Sequence, residues 1–303
     1  MDAPRLTLFS TPLVSTWVLD ETHRIFFDVG DGAAAMLDGK IHRAGLIALT
    51  HGHRDHIGGL PQMLNLRSGQ AAAEGQPLSI LYPDASGAIT AFGKFLTGFD
   101  QITTGKAKWQ TFAKNETFAL ENKRFLRAFE THHIGTNDKN GSKSLGYQIG
   151  RTVDRLKPEL RSLSQADLDI IRRHEGKAGI VVAEEELILV VTGDTSPLDP
   201  CVMKDAKFVL HECTFLDVDA ERCKEARDRG HGHCRLSEVL ETAVEANVGH
   251  LALYHVSRRY TDDEIIRAVR ASCQEMSIPF PVSVALPSRM IVDLFATSVW
   301  GGG

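Results

Sequence analysis

Between Thr50 and Leu60 the chain reads Thr-His-Gly-His-Arg-Asp-His-Ile-Gly-Gly-Leu, a density of metal-binding side chains that few folds can place. The apolar run Leu46–Thr50 precedes the cluster, and Gly58-Gly59-Leu60-Pro61 opens a helix behind it. This order predicts a strand-to-helix loop at one edge of a sheet, with the ligands converging there. Side chains at i and i+2 of an extended segment point the same way, so His51 and His53 grip one cation. Asp55 and His56 lie beyond the turn and address a second cation. A lone His-x-His would suit a polar surface loop. Followed by Asp-His and Gly-Gly behind an apolar strand, it specifies a metal centre.

One cluster cannot complete two sites, because a catalytic zinc takes about three protein ligands and a water. Three later positions supply candidates: His132 or His133, Asp194 within Gly193-Asp194-Thr195, and His255. Each ends an apolar run. Singly, Asp194 reads as a turn residue and His255 as a strand-end histidine. Jointly, beside the cluster, they read as ligands.

The apolar patterning predicts strands at Leu6–Ser10, Val14–Asp20, Arg24–Val29, Leu46–Thr50, Ser79–Tyr82, Arg124–Phe129, Leu145–Ile149, Ile180–Ala183, Leu187–Thr192, Phe208–His211, Leu251–His255, Val282–Ala285 and Met290–Asp293. It predicts helices at Ile57–Arg67, Ala85–Leu96, Leu216–Arg229, Leu236–Ala246 and Asp262–Glu275. Strands precede helices in each half and the order looks duplicated, which indicates an α/β layered sandwich rather than a doubly wound sheet. The expectation is a single domain over residues 1–300, with a polar insertion at 134–143, a charged, mostly helical insertion at 151–177, and a tail at 301–303.

Composition excludes several classes. The 303 residues are 43% hydrophobic and 24% charged, as in ordinary globular proteins, and the net charge of −5 opposes a generally basic nucleic-acid coat. Five cysteines without a Cys-x-x-Cys pair predict free thiols and a cytoplasmic setting. No signal peptide and no membrane span is read.

Further motifs extend beyond the His/Asp cluster. They are Phe27-Asp28-Val29-Gly30-Asp31-Gly32, Phe129-Glu130-Thr131-His132-His133 followed by Ser144-Leu145-Gly146-Tyr147, Leu156-Lys157-Pro158-Glu159-Leu160, Gly193-Asp194-Thr195, His211-Glu212-Cys213-Thr214-Phe215, His233 with Ser237-Glu238, and Leu253-Tyr254-His255-Val256-Ser257-Arg258-Arg259-Tyr260. With them the chain resembles the metallo-β-lactamase fold superfamily, a four-layer αββα sandwich. Within it the chain is most similar to ribonuclease Z, the tRNA 3′-end endonuclease, in its short form. The resemblance covers about Leu6 to Ala285, and its register selects His133 over His132.

It implies two divalent metal ions, zinc with manganese or iron as substitutes. His51, His53 and His133 would hold one, Asp55, His56 and His255 the other, and Asp194 would bridge them. It also implies precursor tRNA as substrate and a homodimer as the assembly. The chain departs from the family in its long segment between His133 and Ser144, in Phe9-Ser10-Thr11-Pro12-Leu13 where a Gly-rich turn is usual, in Arg235 after the late His motif, and in having no long Gly/Pro-rich arm. These departures leave a small ester, lactone, thioester or cyclic nucleotide as the alternative substrate on the same site.

Roles follow from residue chemistry. Two close cations activate water and clamp a phosphate, and Asp55 ligates while accepting the proton of that water. His233, oriented by Glu212, is the candidate acid for the leaving oxygen. Arg258 and Arg259 are candidate anion contacts. The cations Arg151, Arg155, Lys157, Arg161, Arg172 and Arg173 alternate with acidic residues, and read as a solvated helical face. His211 and His231 receive no role.

Overall fold

A computed structural model describes residues 3–69, 78–101, 107–134 and 141–302. Residues 135–140, most of the expected insertion at 134–143, lie outside the described residues, as does Gly303 of the tail.

Fourteen strands are described: β1 (Leu6–Thr11), β2 (Ser15–Asp20), β3 (Ile25–Val29), β4 (Leu46–Ala48), β5 (Ser79–Pro83), β6 (Lys108–Phe112), β7 (Thr117–Ala119), β8 (Arg124–Glu130), β9 (Leu145–Leu156), β10 (Val181–Val191), β11 (Phe208–Glu212), β12 (Leu251–Tyr254), β13 (Val282–Val284) and β14 (Met290–Val292). They form two seven-stranded sheets, ordered β14-β1-β2-β3-β4-β5-β6 and β13-β12-β11-β10-β9-β8-β7. In the first sheet β1 to β3 pair antiparallel and β3 to β6 parallel. In the second, β8 to β10 pair antiparallel and β10 to β13 parallel. The two halves thus repeat one pairing scheme, as the sequence order suggested.

The layers follow from side-chain alternation. Leu6 and Leu8, Ile25 and Phe27, and Leu46 and Ala48 point into a central core shared with Leu189 and Val191, and with Ala252 and Tyr254, of the other sheet. The intervening Phe9, Phe26 and Ile47 face a second core with the helices Leu60–Gly69 and Gly87–Phe99. Val190, Leu251 and Leu253 face a third core with Leu236–Glu245 and Asp262–Glu275. Both faces of each sheet are covered, so its strands read as continuous apolar runs rather than alternating ones. This is the four-layer αββα order expected. Among the described residues no helix is long and apolar enough to cross a membrane.

Several elements differ from the sequence reading. The helix expected at Ile57–Arg67 is two pieces, Arg54–Ile57 and Leu60–Gly69, broken at Gly58-Gly59. A Cβ on Gly59 would lie 2.1 Å from the Gly30 carbonyl oxygen, so the backbones approach there as only glycine permits. Ile180–Ala183 and Leu187–Thr192 are one strand, β10. The insertion at 151–177 is only partly helical. Its first residues extend β9, and Arg151 to Leu156 pair with Glu186 to Val181 in a ribbon beyond the sheet. Ion pairs Arg151–Glu186 at 2.9 Å and Arg155–Glu184 at 3.1 Å cross it. Charged, half-exposed positions carry no apolar period, so the strand was hidden. The same reason hides β6 and β7, which are edge strands with mostly exposed side chains.

The β1–β2 turn holds a local conflict. Val14 N–H donates to the Thr11 carbonyl at 3.0 Å, Pro12 takes the second position and Leu13 the third, with φ of 65°. That position asks for glycine or asparagine. Leu13 is also 94% exposed, so its side chain returns no packing. Leu13→Gly is therefore expected to raise stability by roughly 0.5–1 kcal/mol, the left-handed penalty less the extra entropy of glycine. Urea unfolding checks this. A midpoint at or below the parent would show that the turn is unstrained.

Candidate metal centre

The parallel strands deliver their carboxyl ends to one edge. There β3 carries Asp28 and the chain leaving β4 carries Thr50 and His51. The helix Arg54–Ile57 carries Asp55 and His56. The chain leaving β8 carries His133, that leaving β10 carries Asp194, and that leaving β12 carries His255. The two sheets are stitched at this edge, where Leu145 N–H donates to the Thr50 carbonyl at 2.8 Å and Tyr147 Oη to the Leu49 carbonyl at 2.6 Å.

Asp194 sits at the centre. Its Oδ2 lies 3.9 Å from His51 Nε2, 3.5 Å from His56 Nε2, 3.7 Å from His133 Nε2 and 3.4 Å from His255 Nε2. His133 Nε2 lies 3.1 Å from His53 Nδ1. Asp55 Oδ2 lies 3.8 Å from His56 Nε2 and 3.9 Å from His255 Nε2. Ligands about 2.05 Å from a tetrahedral zinc stand about 3.3 Å apart, close to this spacing. Two of the resulting three-residue groups are His51, His53, His133 and Asp55, His56, His255.

Unpartnered atoms test whether a cation fits. His51 Nε2, His56 Nε2, His255 Nε2 and Asp194 Oδ1 are buried with no hydrogen-bond partner among the described residues. Buried polar atoms are almost always partnered, so four orphans around one point mark a site built for an ion. Charge state agrees. Burial holds His51 well below the usual histidine range and His133 down to about 4, which keeps both neutral and able to ligate. Burial also opposes charge on His56, but the carboxylates of Asp194 and Asp28 outweigh it and raise its proton affinity. Burial likewise opposes the negative charge of Asp55, yet His255 and His56 bring it to about 2. The carboxylates here call for positive charge, and the cluster suits a divalent metal ion.

A second layer fixes the rings. Thr50 Oγ1 donates to Asp28 Oδ2 at 2.7 Å and accepts from His51 Nδ1 at 2.9 Å. His56 Nδ1 donates to Asp28 Oδ2 at 2.7 Å. His133 Nδ1 donates to the Gly232 carbonyl at 2.8 Å. Thr214 Oγ1 donates to Glu212 Oε2 at 2.9 Å, leaving its lone pairs for His255 Nδ1 at 3.0 Å and His233 Nδ1 at 3.1 Å. Each of these hydrogen bonds leaves Nε2 free to face the cavity. His53 is the exception, presenting Nδ1.

Glu212 is fully buried and accepts from Thr195 N, Cys234 N, Thr214 N and Thr214 Oγ1 at 2.8–3.2 Å. Its Oε1 lies 3.3 Å from His233 Nδ1. Burial opposes a proton on His233, but Glu212 prevails and raises its proton affinity. A cavity of about 840 Å³ opens on this edge, lined by His53, Asp55, His133, Asp194, His233 and His255 among others.

The seven expected ligands therefore converge, and of the His132/His133 pair only His133 joins them, His132 being exposed. Arg259 lines the cavity, stacked over Phe215 at 5.5 Å, whereas Arg258 is not among its lining residues. His211 is buried away from the cluster and bonds the Glu212 carbonyl at 2.7 Å. His231 stands at the rim, 5.8 Å from the His53 ring. Sequence reasoning gave no role to Asp28 or Thr214. Asp28 had a signal, an acidic residue beside Gly30 at a strand end, where its left-handed φ of 57° suits aspartate.

No family model matches the chain. A ribonuclease Z from Pyrococcus furiosus is 31% identical over 283 residues, spanning 84% of this chain and 84% of the relative. Among solved structures, the metallo-β-lactamase fold protein YhfI from Bacillus subtilis superposes with a TM-score of 0.63 at 17% identity, over 96% of this chain and 100% of that one. The short form of human tRNase Z gives 0.61 at 17% identity, over 95% and 99%. These two likenesses establish the metallo-β-lactamase fold.

Asp28→Asn keeps the size and the tolerance for positive φ but replaces one carboxylate oxygen by a donor. It is expected to lower affinity for divalent zinc about 10–100-fold in a folded protein. Competition against a chromophoric chelator measures it, and unchanged affinity would deny Asp28 its orienting role.

Proposed function

Because the chain belongs to the ribonuclease Z family, we propose that it is a dinuclear metal-dependent phosphodiesterase that cleaves RNA, with the 3′ trailer of precursor tRNA as its substrate. The observation that carries this reading is Asp194 Oδ2 within 3.4–3.9 Å of four imidazole nitrogens, on the same cavity as the His233–Glu212 pair.

His51, His53 and His133 would hold one ion and Asp55, His56 and His255 the other, with the Asp194 carboxylate placed to serve both. Zinc suits this nitrogen-rich set, and manganese or iron are the substitutes. When bound, two such ions supply an activated water and a clamp for the scissile phosphate. Asp55 is better suited to ligate and orient than to store a proton, since its carboxyl is held at about 2. Its place is fixed by Leu13 N–H, which donates to Oδ2 at 2.8 Å.

His233 donates its Nε2 proton to the departing 3′-oxygen. Its Nδ1 side is taken by Thr214 and Glu212, which fixes the tautomer and favours the charged ring. Glu212, with four donors already around it, positions His233 and does not reach substrate. An alkoxide leaving group needs such an acid, whereas 4-nitrophenolate does not.

His233→Ala is therefore expected to lower kcat on precursor tRNA by about 10²–10⁴-fold, and much less on bis(4-nitrophenyl) phosphate. Equal losses on both would remove the acid role. Asp194→Ala or chelation is expected to abolish both activities. Metal-loaded protein that cleaves neither substrate would overturn the proposed function.

A further inference from the structure

Four arginines line the cavity: Arg54, Arg222, Arg229 and Arg259. Three are countered. Arg222 and Arg259 share Asp219, each at 3.3 Å, and Arg229 meets Glu225 at 3.1 Å. Arg54 differs. It is exposed, and its side chain makes no hydrogen bond or ion pair among the described residues. Yet its backbone is firmly placed. It lies between His53 and Asp55, and its carbonyl accepts Gly58 N–H at 2.7 Å.

The guanidinium of Arg54 thus contributes nothing visible to folding. It also stands beside residues suited to hold cations, and with such ions bound a further positive charge there would be repelled until an anion enters. The cost reverses when an anion enters, because clefts lined by one sign of charge concentrate the opposite sign. A lone ester, lactone or thioester brings no such charge. A single phosphodiester brings one negative charge, which the centre itself would engage. Asp219 and Glu225 counter the other three arginines, and Asp55 and Asp194 face the metal centre, so Arg54 is the guanidinium left for a further anion.

We infer that Arg54 is a specificity-determining residue that holds the phosphate next to the scissile one, so that the site selects a ribose-phosphate chain over an isolated ester. The inference rests on the phosphodiesterase reading above. Arg54 has the chemistry for this task and lines the same cavity, since guanidinium binds phosphate through paired N–H donors. Its helix also carries Asp55 and His56, so contact and chemistry ride on one rigid segment.

The test uses Arg54→Gln and Arg54→Lys in the full chain. Binding of a short fluorescent oligoribonucleotide is titrated at several salt concentrations. Arg54→Gln is expected to weaken binding about tenfold and to reduce the slope of log affinity against log salt by about one, and Arg54→Lys to restore the slope. The ratio of kcat/KM for precursor tRNA to that for bis(4-nitrophenyl) phosphate should fall about tenfold in Arg54→Gln, with the unfolding midpoint as control. Binding, slope and ratio all at parent values would overturn the inference while leaving the phosphodiesterase reading intact. A parent that turns over the aryl diester but neither binds nor cleaves RNA would overturn RNA as substrate, and the subsite with it.

Discussion

A carboxylate buried among imidazoles is the interaction on which the rest of this structure depends. Taking an unpaired charge out of water costs several kcal/mol, so Asp194 can sit at the centre only if positive charge surrounds it. Its four imidazole neighbours come from the helix Arg54–Ile57 and the segments leaving β4, β8 and β12, spread over about two hundred residues of chain, and they meet within 3.4–3.9 Å of one oxygen. Such convergence requires both sheets to present their carboxyl ends at the same edge. The inter-sheet bonds from Leu145 and Tyr147, and from His255 N–H to Ser10 Oγ at 3.1 Å, hold that edge in register.

Convergence alone would not suffice, because a histidine has two nitrogens and a ring that rotates. Asp28, Thr50, Thr214 and the Gly232 carbonyl each take an Nδ1 proton and so aim the opposite nitrogen inward. Two residues of this centre, Asp28 and His255, adopt left-handed φ angles of 57° and 58°. Such conformations cost of order 1–3 kcal/mol each and persist where surrounding contacts over-determine them. Here those contacts are the hydrogen bonds of Asp28 to Thr50 and His56, and of His255 to Ser10 and Thr214.

What the sequence made legible follows from how each residue signals. The expected ligands stand in a contiguous motif or end apolar runs, and both patterns survive in one dimension. The buried strands were legible because covered sheets need continuous apolar residues. The ribbon of β9 and β10 was not, since Arg151, Arg155, Glu184 and Glu186 stabilise it through cross-strand pairs that carry no period. Thr214 was invisible because a threonine gains its role only from what folds against its hydroxyl. Glu212 was read as the residue that orients His233, but the four donors that hold its carboxylate come from Thr195, Thr214 and Cys234 and carry no signal in one dimension.

The duplicated pairing scheme gives the centre a further property. The first sheet and the segments leaving it supply Asp28, His51, His53, Asp55 and His56, and the second sheet supplies His133, Asp194 and His255, so neither sheet holds both expected ligand sets. A cation bound here draws its ligands from both sheets at once. Its binding free energy is then also free energy of sheet association, growing as RT ln(1 + [M]/Kd) for a site present only in the folded chain. The central core of Leu6, Phe27, Leu189 and Tyr254 holds the sheets face to face, and the ion acts at their edge. The same geometry that makes Asp194 expensive to bury would make a bound metal a clasp between the sheets.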